Sequence, residues 1–111
     1  MLVSRSAPFG GKTRTLVLLA LHLLEESFAR ELARVLEAPL SGVQQALRGL
    51  ELDGLVAGRS AGRTRLYRVN PRYFARAELN AYLGRLAEPE AVLLKRVVQL
   101  RKRPRRSGKP L

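Results

Sequence analysis

Apolar positions along the chain fall into alternating stretches of helical and strand period. From Thr13, residues Leu16, Leu19, Ala20, Leu23 and Leu24 recur at i, i+3, i+4, i+7 and i+8, the spacing of one helix face. Val17, Leu18 and Leu21 fill the remaining faces, so this helix is buried on more than one side. A second helix is predicted over Ala29–Leu36, with Leu32, Val35 and Leu36 inward and Arg30, Glu31 and Arg34 outward. Pro39 interrupts. Ser41-Gly42-Val43-Gln44 matches a capping box and opens a third helix running to about Asp53, with Val43, Ala46, Leu47 and Leu50 inward. Gly54 is its left-handed stop signal.

The period then becomes two. Residues 55–59 and 64–69 read as strands, with Ser60-Ala61-Gly62-Arg63 as the hairpin tip. Asn70-Pro71 ends the second strand and starts a helix over 72–86, with Leu79, Tyr82, Leu83 and Leu86 together. Pro89 opens a last helix carrying Leu93, Val97 and Leu100 on one stripe and Leu94 beside it. The expected class is mainly α with a small β-hairpin (α+β). We divide the chain into a leader (1–11), a helix-and-hairpin domain (12–71), C-terminal helices (72–101) and a basic tail (102–111) whose composition cannot bury enough apolar surface to order itself.

Charge sharpens this picture. The 111 residues carry 21 Lys and Arg against 9 Asp and Glu, a net charge of +12, which points to a polyanionic partner. Eight of those basic residues lie in 95–111, leaving only +4 over residues 1–94. Local placement therefore matters more than the total. Cys is absent, which excludes disulfides, thiolate metal sites and thiol nucleophiles. There is no apolar run of membrane-spanning length and no signal-peptide pattern, so a cytoplasmic protein is the expectation.

Two short helices joined by a turn, followed by a basic hairpin, are the order of a helix-turn-helix with a wing. The residues Glu31-Leu32-Ala33-Arg34-Val35-Leu36, Ser41-Gly42-Val43, Leu47, Leu50, Asp53-Gly54-Leu55-Val56 and Gly62-Arg63-Thr64-Arg65-Leu66-Tyr67-Arg68-Val69 resemble the ArsR-type winged helix-turn-helix regulators. The MarR-type regulators share much of this pattern, and Phe9-Gly10-Gly11-Lys12-Thr13-Arg14 is similar to the start of small proteins of the same superfamily. The resemblance implies a dimeric transcriptional regulator, most simply a repressor acting by occupancy. The cysteine-based metal sensing of ArsR-type proteins does not carry over to this chain.

The residues themselves support double-stranded DNA as the partner. The N-terminal half of a recognition helix meets base edges in the major groove. Here its outward residues are Leu40, Ser41, Gly42, Gln44, Gln45 and Arg48. Gln can bond adenine bidentately, and Arg can bond guanine or a phosphate. Gly42 and Gly49 each weaken the helix by roughly 1 kcal/mol, which close approach of a DNA backbone or another helix would explain. In the wing, Arg59, Arg63 and Arg65 flank the small residues Ser60 and Gly62 with no acid between, suiting a phosphate row or minor groove. The alternative is a hairpin edge charged against aggregation. Arg68 either joins them or turns back to Glu51 or Asp53. Lys12 and Arg14 are candidate phosphate clamps. Gly11-Lys12-Thr13 also looks like the end of a nucleotide-binding loop, but Ser6 stands where its first Gly would be and no strand precedes it.

The apolar first helix and the two C-terminal stripes ask for further cover. A two-fold dimer through Leu18, Leu21, Leu79, Leu83, Leu93, Val97 and Leu100 would supply it and set two recognition helices on successive major-groove faces. Alternatively, the C-terminal helices fold back on their own domain. His22, the only His, is read as a core or interface residue. No catalytic triad spacing, carboxylate pair or metal-ligand cluster is visible, so no enzyme, metal or cofactor is expected. The tail is either a flexible phosphate tether or simply solvated. The rival functions are a winged-helix protein-interaction module, an architectural nucleic-acid-binding protein, and an RNA binder, for which the exposed aromatic platform is lacking.

Overall fold

A computed structural model describes residue 2 and residues 7–102. The rest of the leader and the basic tail from 103 onward lie outside the described residues. The elements are α1 (Lys12–Leu24), β1 (Ser27–Phe28), α2 (Ala29–Leu36), α3 (Leu40–Leu52), β2 (Val56–Ala61), β3 (Thr64–Val69), α4 (Arg76–Ala87) and α5 (Ala91–Lys102).

Central to the fold is α1, whose residues 15–21 are all buried. Its start is tied down by Thr15, which donates from Oγ1 to the Gly11 carbonyl at 2.8 Å. α1 packs against α2, α3, α4, α5 and β3 of its own chain. The cover that the sequence assigned to a partner subunit is therefore intramolecular. Leu18, Leu21, Leu79, Leu83, Leu93 and Val97 are all core residues, between 0% and 7% exposed, and Leu100 packs against them half-buried. They do not form a free dimer face. The fold-back arrangement accounts for them: α5 lies on α1 and α2, and Arg96 donates to the Arg34 and Val35 carbonyls at the end of α2 and pairs with Glu37. A cation at a helix C-terminus satisfies carbonyls left without intrahelical partners.

Several boundaries differ from expectation, α5 among them, which starts at Ala91 and not at Pro89. Helix α3 begins at Leu40 with Pro39 at its N-cap, extended at φ −60° and ψ 138°, and has no side-chain cap. The Pro39 carbonyl accepts the Val43 amide at 3.1 Å. Ser41 thus lies inside the first turn, and the capping box is not formed. Helix α4 begins four residues late, because the Asn70 side chain accepts the Arg72 amide at 3.0 Å and holds an Asx turn that competes with helix. Strand β2 runs two residues further than expected, to Ala61 opposite Thr64. The tip is then only Gly62-Arg63, with Gly62 at φ +64°.

The third strand, β1, was not expected. It pairs antiparallel with β3, Ser27 opposite Tyr67 and Phe28 opposite Leu66, giving the order β1-β3-β2. Buried Ser27 donates to Glu31 Oε1 at 2.6 Å, which anchors this short strand to α2. At the other end, Gly54 takes φ +79° after α3, where L side chains are disfavoured, and the Leu55 amide closes on the Leu50 carbonyl at 3.0 Å. Asn70 bonds the Gly54 carbonyl through Nδ2 at 2.9 Å and fixes where β3 ends relative to α3.

Candidate nucleic-acid interface

The amphipathic period of α3 decides what this helix offers to solvent. Val43, Ala46, Leu47 and Leu50 are buried, and Ser41, Gln44, Gln45 and Arg48 are exposed. Leu40 is half-buried, and nothing lies within 4 Å of where a Gly42 Cβ would sit. The exposed side of the first three turns therefore carries amide and guanidinium groups and no carboxylate. Such groups can bond base edges and phosphates.

Two clefts flank this face. One, of about 250 Å³, is lined by Phe28, Arg30, Leu40, Gln44, Arg63 and Tyr67. It brings the wing alongside the start of α3. The other, of about 430 Å³, lies between the start of α1 and α3, lined by Gly10, Gly11, Lys12, Gly42, Gln45 and Gly49. Lys12 and Arg63 thus stand on opposite sides of Gln44 and Gln45.

The wing residues Arg59, Ser60, Gly62, Arg63 and Arg65 are all exposed, but the arginines are not equivalent. Arg65 reaches Glu51 Oε2 at 2.7 Å, and the carboxylate raises the guanidinium pKa, chiefly through that hydrogen bond. Arg59 pairs with Glu26 at 3.2 Å. Arg14 pairs with Asp53 at 2.5 Å and donates from Nε to the Phe9 carbonyl at 2.6 Å. Among the described residues, Lys12, Arg48, Arg63 and Arg68 take part in no ion pair. Arg68 does not reach Glu51 or Asp53. Strand alternation puts Arg65 and Tyr67 on one face of β3 and Arg68 on the other, so those two acids are taken by Arg65 and Arg14. Gly49 is explained from within the chain: a Cβ there would fall 2.5 Å from Arg14 Nη1.

His22 is not a fully buried core residue. It lies half-buried on a cleft of about 450 Å³ between α1, β3 and α4, with Glu25, Arg68, Arg76 and Asn80. Sequence reasoning gave no sign of this cleft. Burial lowers the imidazole pKa, against a smaller raising effect of its hydrogen bond with Asn80. Among the described residues, no three potential metal ligands cluster, and no helix is long and apolar enough to cross a membrane.

No family model matches the chain, and neither does any curated protein. Solved structures do. A glutamate-to-alanine variant of ZitR from Lactococcus lactis superposes with a TM-score of 0.56 at 18% identity, over 85% of this chain and 66% of that one. The chain thus spans just under two thirds of that protein's length. A cysteine-to-serine variant of ZitR gives a TM-score of 0.55 at 20% identity, over 89% of this chain and 78% of that one. The three-stranded sheet, the helix-turn-helix of α2 and α3, and this likeness together establish the fold as a winged helix-turn-helix.

Proposed function

We propose that this chain is a transcriptional regulator that binds double-stranded DNA, with α3 in the major groove and the β2–β3 wing on the adjacent backbone or minor groove. The observation carrying this reading is the acid-free exposed face of Ser41, Gln44, Gln45 and Arg48, flanked by Lys12 on one side and Arg63 on the other. Helix-turn-helix proteins place such a face against base edges. In this reading Gln44 and Gln45 read bases, Arg48 reads guanine or a phosphate, and Lys12 and Arg63 neutralise phosphates. Ser41, Gly42, Ser60 and Gly62 are small enough to allow close approach, and Leu40 offers an apolar contact. Arg59 joins the phosphate contacts once it leaves Glu26. Occupancy of a promoter makes repression the simplest outcome.

Two copies related by a two-fold axis would present two recognition helices to an inverted repeat. With the core leucines committed within the chain, such a pair would have to meet through surface residues such as Val92, Val98 or Tyr82.

Selection from a random duplex library at near-physiological salt tests the reading. We expect an enriched motif that loses definition when Gln44 or Gln45 becomes Ala. An inverted repeat with half-sites about one helical turn apart would assign a dimer, and an isolated half-site a monomer. Recovery of duplex without a consensus would replace base reading with a general polyanion grip.

A further inference from the structure

The carboxyl end of α3 is chemically odd. Glu51 sits in its last turn and Asp53 at its C-cap. Carboxylates there oppose the helix macrodipole, which favours cations at this end. Local helix energetics therefore do not account for them. Each instead receives an arginine from a different neighbouring element, and each arginine passes over a glycine.

Arg65, from β3, crosses β2 to reach Glu51 Oε2 at 2.7 Å. Its path is open because Gly58 has no side chain: a Cβ there would lie 2.7 Å from Arg65 Nε. The guanidinium carbon also lies 5.9 Å from the Tyr67 ring centroid, within cation–π range. Arg14, from α1, reaches Asp53 Oδ2 at 2.5 Å and crosses Gly49 in the same manner. One end of α3 is thus tied to the wing and to α1, and the other end is left to its exposed polar face. Lys12, Arg48 and Arg63 are in no ion pair among the described residues. Two classes of cation result.

We infer that Glu51 and Asp53 hold Arg65 and Arg14 as ties that fix the recognition helix against the wing and α1, making these two arginines positioning residues and not phosphate contacts. The inference rests on the DNA-binding reading above. It names what sets the offset between the bases that α3 reads and the phosphates that the wing reaches. Gly58 and Gly49 are the openings the ties require.

The absence of Cys allows a clean test without DNA. Spin labels on Ser41→Cys and Ser60→Cys, both exposed, report the distance from the start of α3 to the wing. We expect a narrow distribution that Glu51→Gln or Arg65→Ala broadens. An unchanged width in both variants overturns the tie. The second arm uses the selected duplex. Arg65→Glu should weaken binding roughly tenfold, and Glu51→Arg added to it, which restores the pair at unchanged net charge, should recover about fivefold of that loss. Arg65→Ala should leave the salt slope as it was. A swap as weak as Arg65→Glu alone, with a slope flattened by about one in Arg65→Ala, would make Arg65 a phosphate contact and overturn the proposal. If the unaltered protein binds no duplex, the DNA reading fails, and the label distances still decide whether the pair fixes the wing.

Discussion

Two glycines of α3 carry the same intrinsic penalty and different surroundings. Gly in a helix costs about 1 kcal/mol relative to Ala. At Gly42 the space is open, so Gly42→Ala should raise stability by up to about 1 kcal/mol in thermal unfolding. At the same time it should weaken duplex binding, because the added methyl stands on the proposed contact face. At Gly49 the new methyl would press on Arg14 Nη1, so Gly49→Ala should gain little or nothing in the same measurement. Equal gains at both positions would show that the Arg14 contact has no weight. The single histidine gives a pH signature. Burial lowers the folded-state pKa of His22 below its ordinary 6.5, so the unfolded chain binds the proton first as pH falls. The stability it contributes is complete above 6.5 and is lost progressively as pH drops from there toward the folded value. His22→Gln should flatten that part of the stability–pH curve. An unaltered curve would assign the acid sensitivity to other groups.

At the scale of elements, legibility followed length and periodicity. α2 and β3 could be bounded to the residue because their apolar spacing and flanking breakers agree. β1 could not, since two residues have no period, and it exists because β3 offers an edge and Ser27 bonds Glu31. The late start of α4 turns on one Asn70 side-chain bond, which competes with the Pro71 helix signal. For the site, composition was enough to nominate the exposed residues of α3 and the wing. It could not say which arginines meet carboxylates 14 to 39 positions away. Glu51 and Asp53 stood out in the sequence as acids for Arg68, and the pleat of β3 gives Glu51 to Arg65 instead. The wing prediction follows from this sorting. Arg63→Ala should weaken binding to every duplex by a similar factor and reduce the salt slope by about one. The same slope in variant and parent would leave Arg63 as a solvated hairpin charge.

For the whole molecule, the question is where its apolar surface goes. Leu83 and Leu93, fully or almost fully buried, close the core between α1, α4 and α5 within one chain. Truncating a buried leucine costs about 2–5 kcal/mol through lost transfer energy and the cavity left behind. If that cavity lies inside one chain, the loss is independent of protein concentration. If the leucines closed an interface between copies, mass action would make the melting temperature climb with concentration and the variants would recover at high concentration. We therefore expect Leu83→Ala and Leu93→Ala to lower the melting temperature equally at micromolar and millimolar protein. Sedimentation velocity should show no change in association state for whichever variant remains folded. The exposed side of α5 supports this expectation. Val92 and Val98 are its exposed apolar residues of any size, about 120° apart on a helical projection, with Lys95 and Gln99 exposed between them. They do not form the continuous stripe a helical seam requires. A loss in the variants that shrinks relative to the parent as concentration rises would reverse the assignment and return α4 and α5 to a role in holding two copies together.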